Sequence, residues 1–170
     1  KGKHNWIVSF DLNSLYPHLI MQYNISPETI LGTWKDDIGV SGLLAKEFDT
    51  SVWKEKDITV TPNGSVYRRD KQGFLPKLME KMYTDRVKYK KKMLTEQKKG
   101  KNADPNKLST YYNYQQNLKI ALNSAYGAMG NEWFRFYDER NAEAVSVAGQ
   151  LSVQWAENAV NNYLNKTLGT

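Results

Sequence analysis

Short apolar segments separated by turn residues occupy roughly the first 70 positions of the chain, and longer helical patterns follow. Residues 6–10 form a compact apolar run that predicts a β-strand. Asn13 or Ser14 can then cap a short helix that runs from residue 15 to about residue 23. Residues 24–27 end that helix, so the pattern predicts a strand followed directly by a helix.

The next part of the chain carries weaker patterns. Residues 32–56 show scattered glycine and charge without a convincing period, and we predict a loop with minor elements there. Residues 58–61 and 65–68 are short β-prone segments on either side of Asn63-Gly64. Because Asn-Gly supplies the positive φ angles of a tight turn, this arrangement predicts a β-hairpin.

Two long helices are predicted next. The first starts near Pro76, which suits a first helical turn, and meets no further glycine or proline until Gly100. Asp104-Pro105 is an N-cap and N1 pair that opens a second helix, which runs to Gly127 or Gly130. The short join between them permits only an antiparallel hairpin.

The last two predicted helices each carry an apolar face. A final helix is expected from about residue 140 to residue 164. The apolar seam of the second long helix consists of Leu108, Tyr112, Gln115, Leu118, Leu122, Ala125 and Met129. The apolar face of the final helix consists of Ala144, Ala148, Leu151, Trp155, Ala159 and Tyr163.

The composition narrows the possible classes of protein and of binding partner. The 170 residues include 24 basic and 18 acidic residues, a formal charge of +6 that mildly favours an anionic partner such as nucleic acid. There is no cysteine, which excludes disulfides and thiolate sites and fits a reducing, cytoplasmic setting. No apolar run is long enough to cross a bilayer, so no membrane partner is expected. The chain starts with Lys1 rather than methionine, and we expect that it was cut from something longer.

A polar stripe on the second long helix is the first candidate for chemistry. Lys119, Asn123 and Tyr126 share one face, and Arg86 and Lys90 lie one turn apart on the preceding helix. In an antiparallel hairpin these cations can converge on one anionic group, for which a triphosphate is the natural candidate. The alternative is a solvated basic face, since residues 77–101 hold ten basic residues against three acidic ones.

Asp11 is the second candidate. A lone aspartate behind a strand is commonly a turn or cap residue, but Asn13 and Ser14 already serve that purpose here. A carboxylate at a strand end beside a helix N-terminus can hold Mg²⁺, while the free N–H groups of the helix bind the phosphates that the metal carries. Tyr16 would project nearby, with core packing as its alternative. On physical grounds alone the chain is a phosphate-binding or nucleic-acid-binding α/β segment.

Two sequence stretches carry a resemblance to a known family. Residues 11–17, DLNSLYP, resemble motif A of family B DNA polymerases, and residues 119–127, KIALNSAYG, resemble their motif B. The flanking residues 24–30 and 130–137 are most similar to the replicative polymerases of large tailed bacteriophages. His18 departs from the serine that is usual in those phage enzymes, a change expected to affect packing more than chemistry.

The resemblance implies a role for each matched residue. Asp11 would bind both catalytic Mg²⁺ ions, with the Leu12 carbonyl helping one of them, and Tyr16 would be the steric gate against a ribose 2′-OH. The residues implied to contact the triphosphate are Ser14, Leu15, Arg86, Lys90, Lys119 and Asn123. Lys119 is also implied to be catalytic. Tyr126 and Gly127 would contact the nascent base pair or the template.

The resemblance also implies an architecture. The expected fold is α/β, more strictly α+β, with a partial palm of short strands and helices and a long antiparallel fingers hairpin. The expected divisions are a palm part over residues 1–73, the fingers hairpin over 74–130 and a palm helix over 131–170. Motif C, which supplies the second metal carboxylate in this family, is absent from the 170 residues, so we expect this chain alone not to extend primers.

The implied partners are a DNA primer-template, a deoxynucleoside triphosphate and, in a complete enzyme, a sliding clamp. The implied setting is the cytoplasm, of a bacterial host if the gene is phage-encoded. Two alternatives stay open: a non-catalytic nucleic-acid-binding module, and one half of a polymerase split between two genes.

Overall fold

Helices make up most of the chain. The computed structural model describes residue 2, residues 9–36 and residues 38–169. The predicted strand at residues 6–10 lies mostly outside the described residues, and its last two positions, Ser9 and Phe10, have no regular secondary structure. The elements of the described chain are α1 (Leu15–Tyr23), β1 (Ile30–Thr33), α2 (Gly39–Leu44), α3 (Ser51–Glu55), β2 (Ile58–Val60), β3 (Ser65–Arg68), α4 (Phe74–Gln97), a 3₁₀ turn (Gly100–Asn102), α5 (Pro105–Met129) and α6 (Glu139–Leu168).

A small antiparallel sheet has the strand order β1-β3-β2. Strands β2 and β3 form the predicted hairpin, with Thr59 opposite Tyr67. The prediction for its turn was wrong in one respect, because Gly64 alone, and not Asn63, takes a positive φ. The Asn63 side chain instead accepts a hydrogen bond from the Thr61 hydroxyl at 2.6 Å, which braces the loop from within. The mixed α+β fold class expected from the sequence is confirmed.

Asn24 ties α1 to the sheet and to the start of α4. It follows α1 in the left-handed conformation, with φ 59°, and so ends the helix where the sequence predicted. Its side-chain amide donates to the carbonyls of Arg68 at 2.7 Å and Lys71 at 2.9 Å. Its side-chain oxygen accepts from the Gly73 N–H at 2.8 Å. Three segments are therefore fixed around one buried amide.

The predicted helical hairpin is present as α4 and α5. The Asp104 carboxylate accepts hydrogen bonds from the N–H groups of Asn106 and Lys107 at 2.9 and 3.2 Å, and Pro105 stands at the first helical position, so the predicted cap is confirmed. Pro76 lies within the first turn of α4, as expected. The join between the helices is the single 3₁₀ turn, which makes the pair antiparallel.

The seam between α4 and α5 follows the predicted positions over its inner half. Gln115, Leu122 and Met129 are buried. Tyr112 was predicted on this seam, but it is 53% exposed. Nearer the tip the contact shifts to neighbouring positions, where Tyr89 of α4 packs against Tyr111 and Tyr114, since a helix of 3.6 residues per turn drifts away from a shorter repeat.

Helix α6 is covered over its first half only. Ala144 and Val145 belong to the same buried cluster as Leu122 and Met129, and Ala148 is also fully buried. On the predicted apolar face further along, however, Trp155 and Tyr163 are 66% and 69% exposed. The helix extends beyond the elements that cover its start, so the outer part of the apolar face that the sequence predicted is left exposed. No helix in the described part of the chain is long and apolar enough to span a membrane.

Candidate functional site

An open cleft of about 1180 Å³ lies between the N-terminus of α1, the polar faces of α4 and α5, and the outer half of α6. Most of the candidate residues predicted from the sequence meet here. The predicted residues on its lining are Asp11, Leu12, Ser14, Leu15, Tyr16, Arg86, Lys119, Asn123 and Tyr126. Segments more than 100 positions apart along the chain therefore converge on one space.

The N-terminus of α1 opens into this cleft with an unusual backbone. Ser14 stands at the N-cap position with φ 54° and ψ 43°, the left-handed region that non-glycine residues rarely adopt. Its carbonyl accepts hydrogen bonds from the backbone N–H and the ring Nδ1 of His18, at 3.2 and 2.8 Å. His18 also packs edge-on against Tyr83, so this residue supports the turn by packing and hydrogen bonding.

Neither Asn13 nor Ser14 caps α1 through its side chain, and that prediction was wrong. The Ser14 hydroxyl donates to Asn13 Oδ1 and accepts from Arg86 instead. Because the first-turn N–H groups of a helix have no acceptor within the helix, the end of α1 keeps donors that suit an anion in the cleft.

Arg86 is the cation with the most specific surroundings. Its side chain comes from α4, and the residue is only 8% exposed. One guanidinium nitrogen, Nη1, donates to Ser14 Oγ at 3.1 Å, whereas the buried Nε has no hydrogen-bond partner within the described structure. A buried cationic donor without an acceptor is costly, so this position favours the arrival of an anion.

Lys119 and Asn123 reach the same cleft from exposed positions on α5. Lys90 does not line it, although the sequence placed it with Arg86 and Lys119. Lys90 instead lines a neighbouring cleft of about 410 Å³ that shares Asn13 and Arg86 with the first. Gly127 lines neither of these two clefts.

Tyr16 is held on one side and open on the other. Its ring centroid lies 4.5 Å from that of Tyr126, and the Tyr126 hydroxyl hydrogen-bonds with Ser146 Oγ at 2.6 Å. A Cβ atom on Gly149 of α6 would stand 3.1 Å from Tyr16 Cε1, so the absence of a side chain there makes room for the ring. Tyr16 remains 37% exposed, which leaves an edge of the ring available to the cleft.

The wall contributed by α6 was missed by the sequence reasoning. Its lining residues repeat at three- and four-residue steps and are Val153, Ala156, Glu157, Val160, Asn161 and Leu164. That spacing was a usable signal, but the apolar face predicted for this helix runs instead through Trp155 and Tyr163. Ser146 and Gly149, which contact the two tyrosines, carried no comparable pattern.

The oxygen ligands available for a metal are few. Asp11 and Glu157 are the carboxylates on the described lining of the cleft. Within residues 2, 9–36 and 38–169 no group of three or more His, Asp or Glu side chains is arranged to hold an ion. Mg²⁺ is commonly held by one or two carboxylates together with substrate phosphates and water. The donor set therefore fits a Mg²⁺ ion that arrives with a phosphate ligand better than a resident protein-only site.

Comparisons with known proteins found matches over nearly the whole chain. The sequence pattern of DNA polymerase family B matches residues 3–169. The DNA-directed DNA polymerase of Escherichia phage RB69 is 34% identical, over 99% of this chain and 23% of its own length. That of Enterobacteria phage T4 is 35% identical, over 97% of this chain and 23% of its own length.

A solved structure is similar as well. The family B DNA polymerase from the hyperthermophilic archaeon Pyrobaculum calidifontis superimposes with a TM-score of 0.60 and 25% identity, over 87% of this chain and 17% of that one. The chain thus spans about a quarter of the length of the phage relatives that it matches.

Proposed function

Because this chain belongs to DNA polymerase family B, we propose that it forms the nucleotide-binding part of a DNA-directed DNA polymerase. The observation that carries the proposal is the convergence of Asp11, Arg86 and Lys119 on the cleft beside the N-terminus of α1. A carboxylate, two cations and free backbone donors are the groups that a metal-bound triphosphate requires. The expected substrates are a deoxynucleoside triphosphate and a DNA primer-template.

Arg86 and Lys119 would neutralise the triphosphate from two helices. Arg86 is already oriented by its bond to Ser14, and its unpartnered Nε offers a further donor. The backbone N–H groups of Ser14 and Leu15 would take the outer phosphates, and Asn123 would lie near them. Lys90 would join only after a shift of its side chain or of α4, since it lines the neighbouring cleft.

Asp11 and the Leu12 carbonyl would hold Mg²⁺, and two ions would be present in a complete polymerase. When bound, these ions supply positive charge for the phosphoryl oxygens and activate the attacking hydroxyl. The residues of this chain would position the triphosphate. In a complete polymerase, the primer 3′-oxygen would form a bond to the α-phosphorus as the bond to the bridging oxygen breaks. Pyrophosphate would leave with that electron pair, and the hydroxyl proton would pass to water.

Tyr16 is proposed as the residue that distinguishes the sugars. Its ring is confined between Tyr126 and the backbone at Gly149, so it has little room to withdraw. A ribose 2′-OH set against the exposed ring edge would collide with it. Tyr126, with the adjacent Gly127, would contact the nascent base pair or the template.

Three points stay predictions from the sequence: the boundaries between palm and fingers at residues 73 and 130, the sliding-clamp partner and the cytoplasmic setting. We also propose that the 170 residues bind nucleotide without extending a primer, because the metal carboxylate that motif C supplies in this family is not among the carboxylates of the described cleft, Asp11 and Glu157. The alternative of a nucleic-acid-binding module without chemistry relies on the basic face of residues 77–101.

Calorimetric titration of the purified chain with a deoxynucleoside triphosphate in the presence of Mg²⁺ tests the nucleotide site. Lys119→Ala is expected to weaken binding about tenfold, since a hydrogen bond to a charged group is worth roughly 1.5–3 kcal/mol. Lys107→Ala removes the same charge from the same helix, outside the cleft, and is expected to change affinity less than about twofold.

If the two variants lose the same affinity for the nucleotide, the loss is due to net charge alone and the proposed site is rejected. Salt-dependent DNA binding without any nucleotide binding would favour the non-catalytic module. Templated, Mg²⁺-dependent primer extension by the purified 170-residue chain would contradict the expected inactivity.

A further inference from the structure

The neighbouring cleft of about 410 Å³ runs along α4 and opens from the nucleotide cleft at Asn13 and Arg86, which line both. Its other charged lining residues are Lys90, Lys91 and Lys98. No Asp or Glu is found on the described lining of this cleft. Four cationic side chains therefore share one groove without a neutralising carboxylate.

The helical repeat explains why these side chains meet. Lys90 lies one turn beyond Arg86, and Lys91 and Lys98 are seven residues, or about two turns, apart, so these side chains of α4 and its C-cap line one cleft. Arg86 and Lys98 are separated by twelve residues, which corresponds to about 18 Å of helix. The exposed apolar residues Val87 and Leu94 also line the cleft. The groove is thus a basic track that leads away from the nucleotide cleft.

The electrostatics of this track indicate an anionic ligand. Four like charges in one groove repel each other, and solvent screens this repulsion only in part. Arg86 lines both clefts, and its buried Nε, which has no acceptor in the described structure, is a further sign of an absent anion. A solvated lysine face would explain the exposed side chains but not a buried guanidinium nitrogen without a partner.

We propose that this cleft binds pyrophosphate. The inference rests on the proposed function, because nucleotide incorporation by a complete polymerase would release pyrophosphate at the cleft that shares Arg86. Pyrophosphate is small and multiply charged, and lysine ammonium groups on flexible stems bind such groups as point charges. Arg86 would contact the outer phosphates before bond cleavage, and Lys90, Lys91 and Lys98 would hold the product afterwards. The second cleft is therefore a product site beside the substrate site.

Calorimetric titration of the purified chain with pyrophosphate tests this assignment. The comparison is made in a Lys119→Ala background, so that pyrophosphate binding in the nucleotide cleft is reduced. There the added pair Lys91→Ala and Lys98→Ala is expected to weaken pyrophosphate binding about tenfold or more. The pair Lys88→Ala and Lys101→Ala removes the same charge from α4 and the 3₁₀ turn, off the lining, and is expected to change affinity less than about twofold.

Three outcomes overturn the proposal: equal weakening by the two pairs, no pyrophosphate binding by the unaltered chain, or dependence on Lys91 and Lys98 for single-stranded DNA but not for pyrophosphate. The proposed function is tested separately by nucleotide affinity. Without the Lys119 change, the Lys91 and Lys98 pair is expected to bind the deoxynucleoside triphosphate within about twofold of the unaltered chain. If the unaltered chain binds pyrophosphate but no nucleotide, the nucleotide site fails, whereas the second cleft stands as an anion site.

Discussion

The α4–α5 hairpin and the outer half of α6 were both predicted as helices with an apolar face, but they differ in how far that face is buried. Both are helical segments that carry an apolar repeat in the sequence. In the hairpin the repeat is buried at Leu122 and Met129, whereas on outer α6 Trp155 and Tyr163 face outward. An apolar repeat therefore predicts which face of a helix prefers burial. Whether that face is covered depends on a partner elsewhere in the fold.

The largest expected contrast between these regions comes from one substitution made in each. Leu122→Ala removes a side chain that is 1% exposed, and we expect it to lower the free energy of unfolding by about 2 to 5 kcal/mol, since it leaves a cavity. Leu168→Ala, on outer α6 at 70% exposure, should stay within about 0.5 kcal/mol. Urea unfolding followed by circular dichroism measures both, and similar losses would contradict the contrast.

A smaller effect separates the covered half of α6 from its outer half. The hydroxyl of Tyr67, a fully buried residue of β3, donates to Asn141 Oδ1 at 2.8 Å, and burial raises the pKa of Tyr67, which keeps this donor protonated. Tyr67→Phe leaves the Asn141 oxygen without this donor and should cost about 1 to 3 kcal/mol.

Tyr163→Phe removes the same hydroxyl from a residue that is 69% exposed and should change stability by less than about 0.5 kcal/mol. The same urea titration measures both variants. If the Tyr67→Phe variant is as stable as Tyr163→Phe, the hydrogen bond that links the sheet to α6 adds no stability.

Local rules account for the parts of the fold that the sequence predicted well. Asp104-Pro105, the Asn-Gly hairpin and the bounds of α1 depend on neighbours within a few residues, and each was found with one correction at Asn63. The meeting of Asp11 with Arg86 and Lys119 was also expected, from helix length, the antiparallel turn and the motif resemblance. What remained hidden depends on distant packing: the α6 wall of the cleft, the room that Gly149 leaves for Tyr16, and the separate groove of Lys90.

The smallest predicted effect concerns the tip of the hairpin, where a single carboxylate joins α4 to the start of α5. Glu96 is 6% exposed, and its carboxylate accepts from the Asp104 N–H at 2.9 Å and from Lys99 Nζ at 2.7 Å. These two bonds, the backbone bond first, hold the pKa of Glu96 below its usual range. A lowered pKa in the folded state adds stability that is present above the unfolded value of about 4.3 and is lost as the pH falls through the folded value.

We therefore expect Glu96→Gln to be less stable than the unaltered chain at neutral pH, by less than the loss in Tyr67→Phe, and the difference to shrink as the pH is lowered below about 4.3. Urea unfolding at a series of pH values measures it, with the exposed Glu132→Gln as the matched control. If the two variants follow parallel pH profiles, the carboxylate at the tip is not what joins the helices. The hairpin would then be held by its inner seam alone, and the contrast with outer α6 would reduce to the burial of residues such as Leu122.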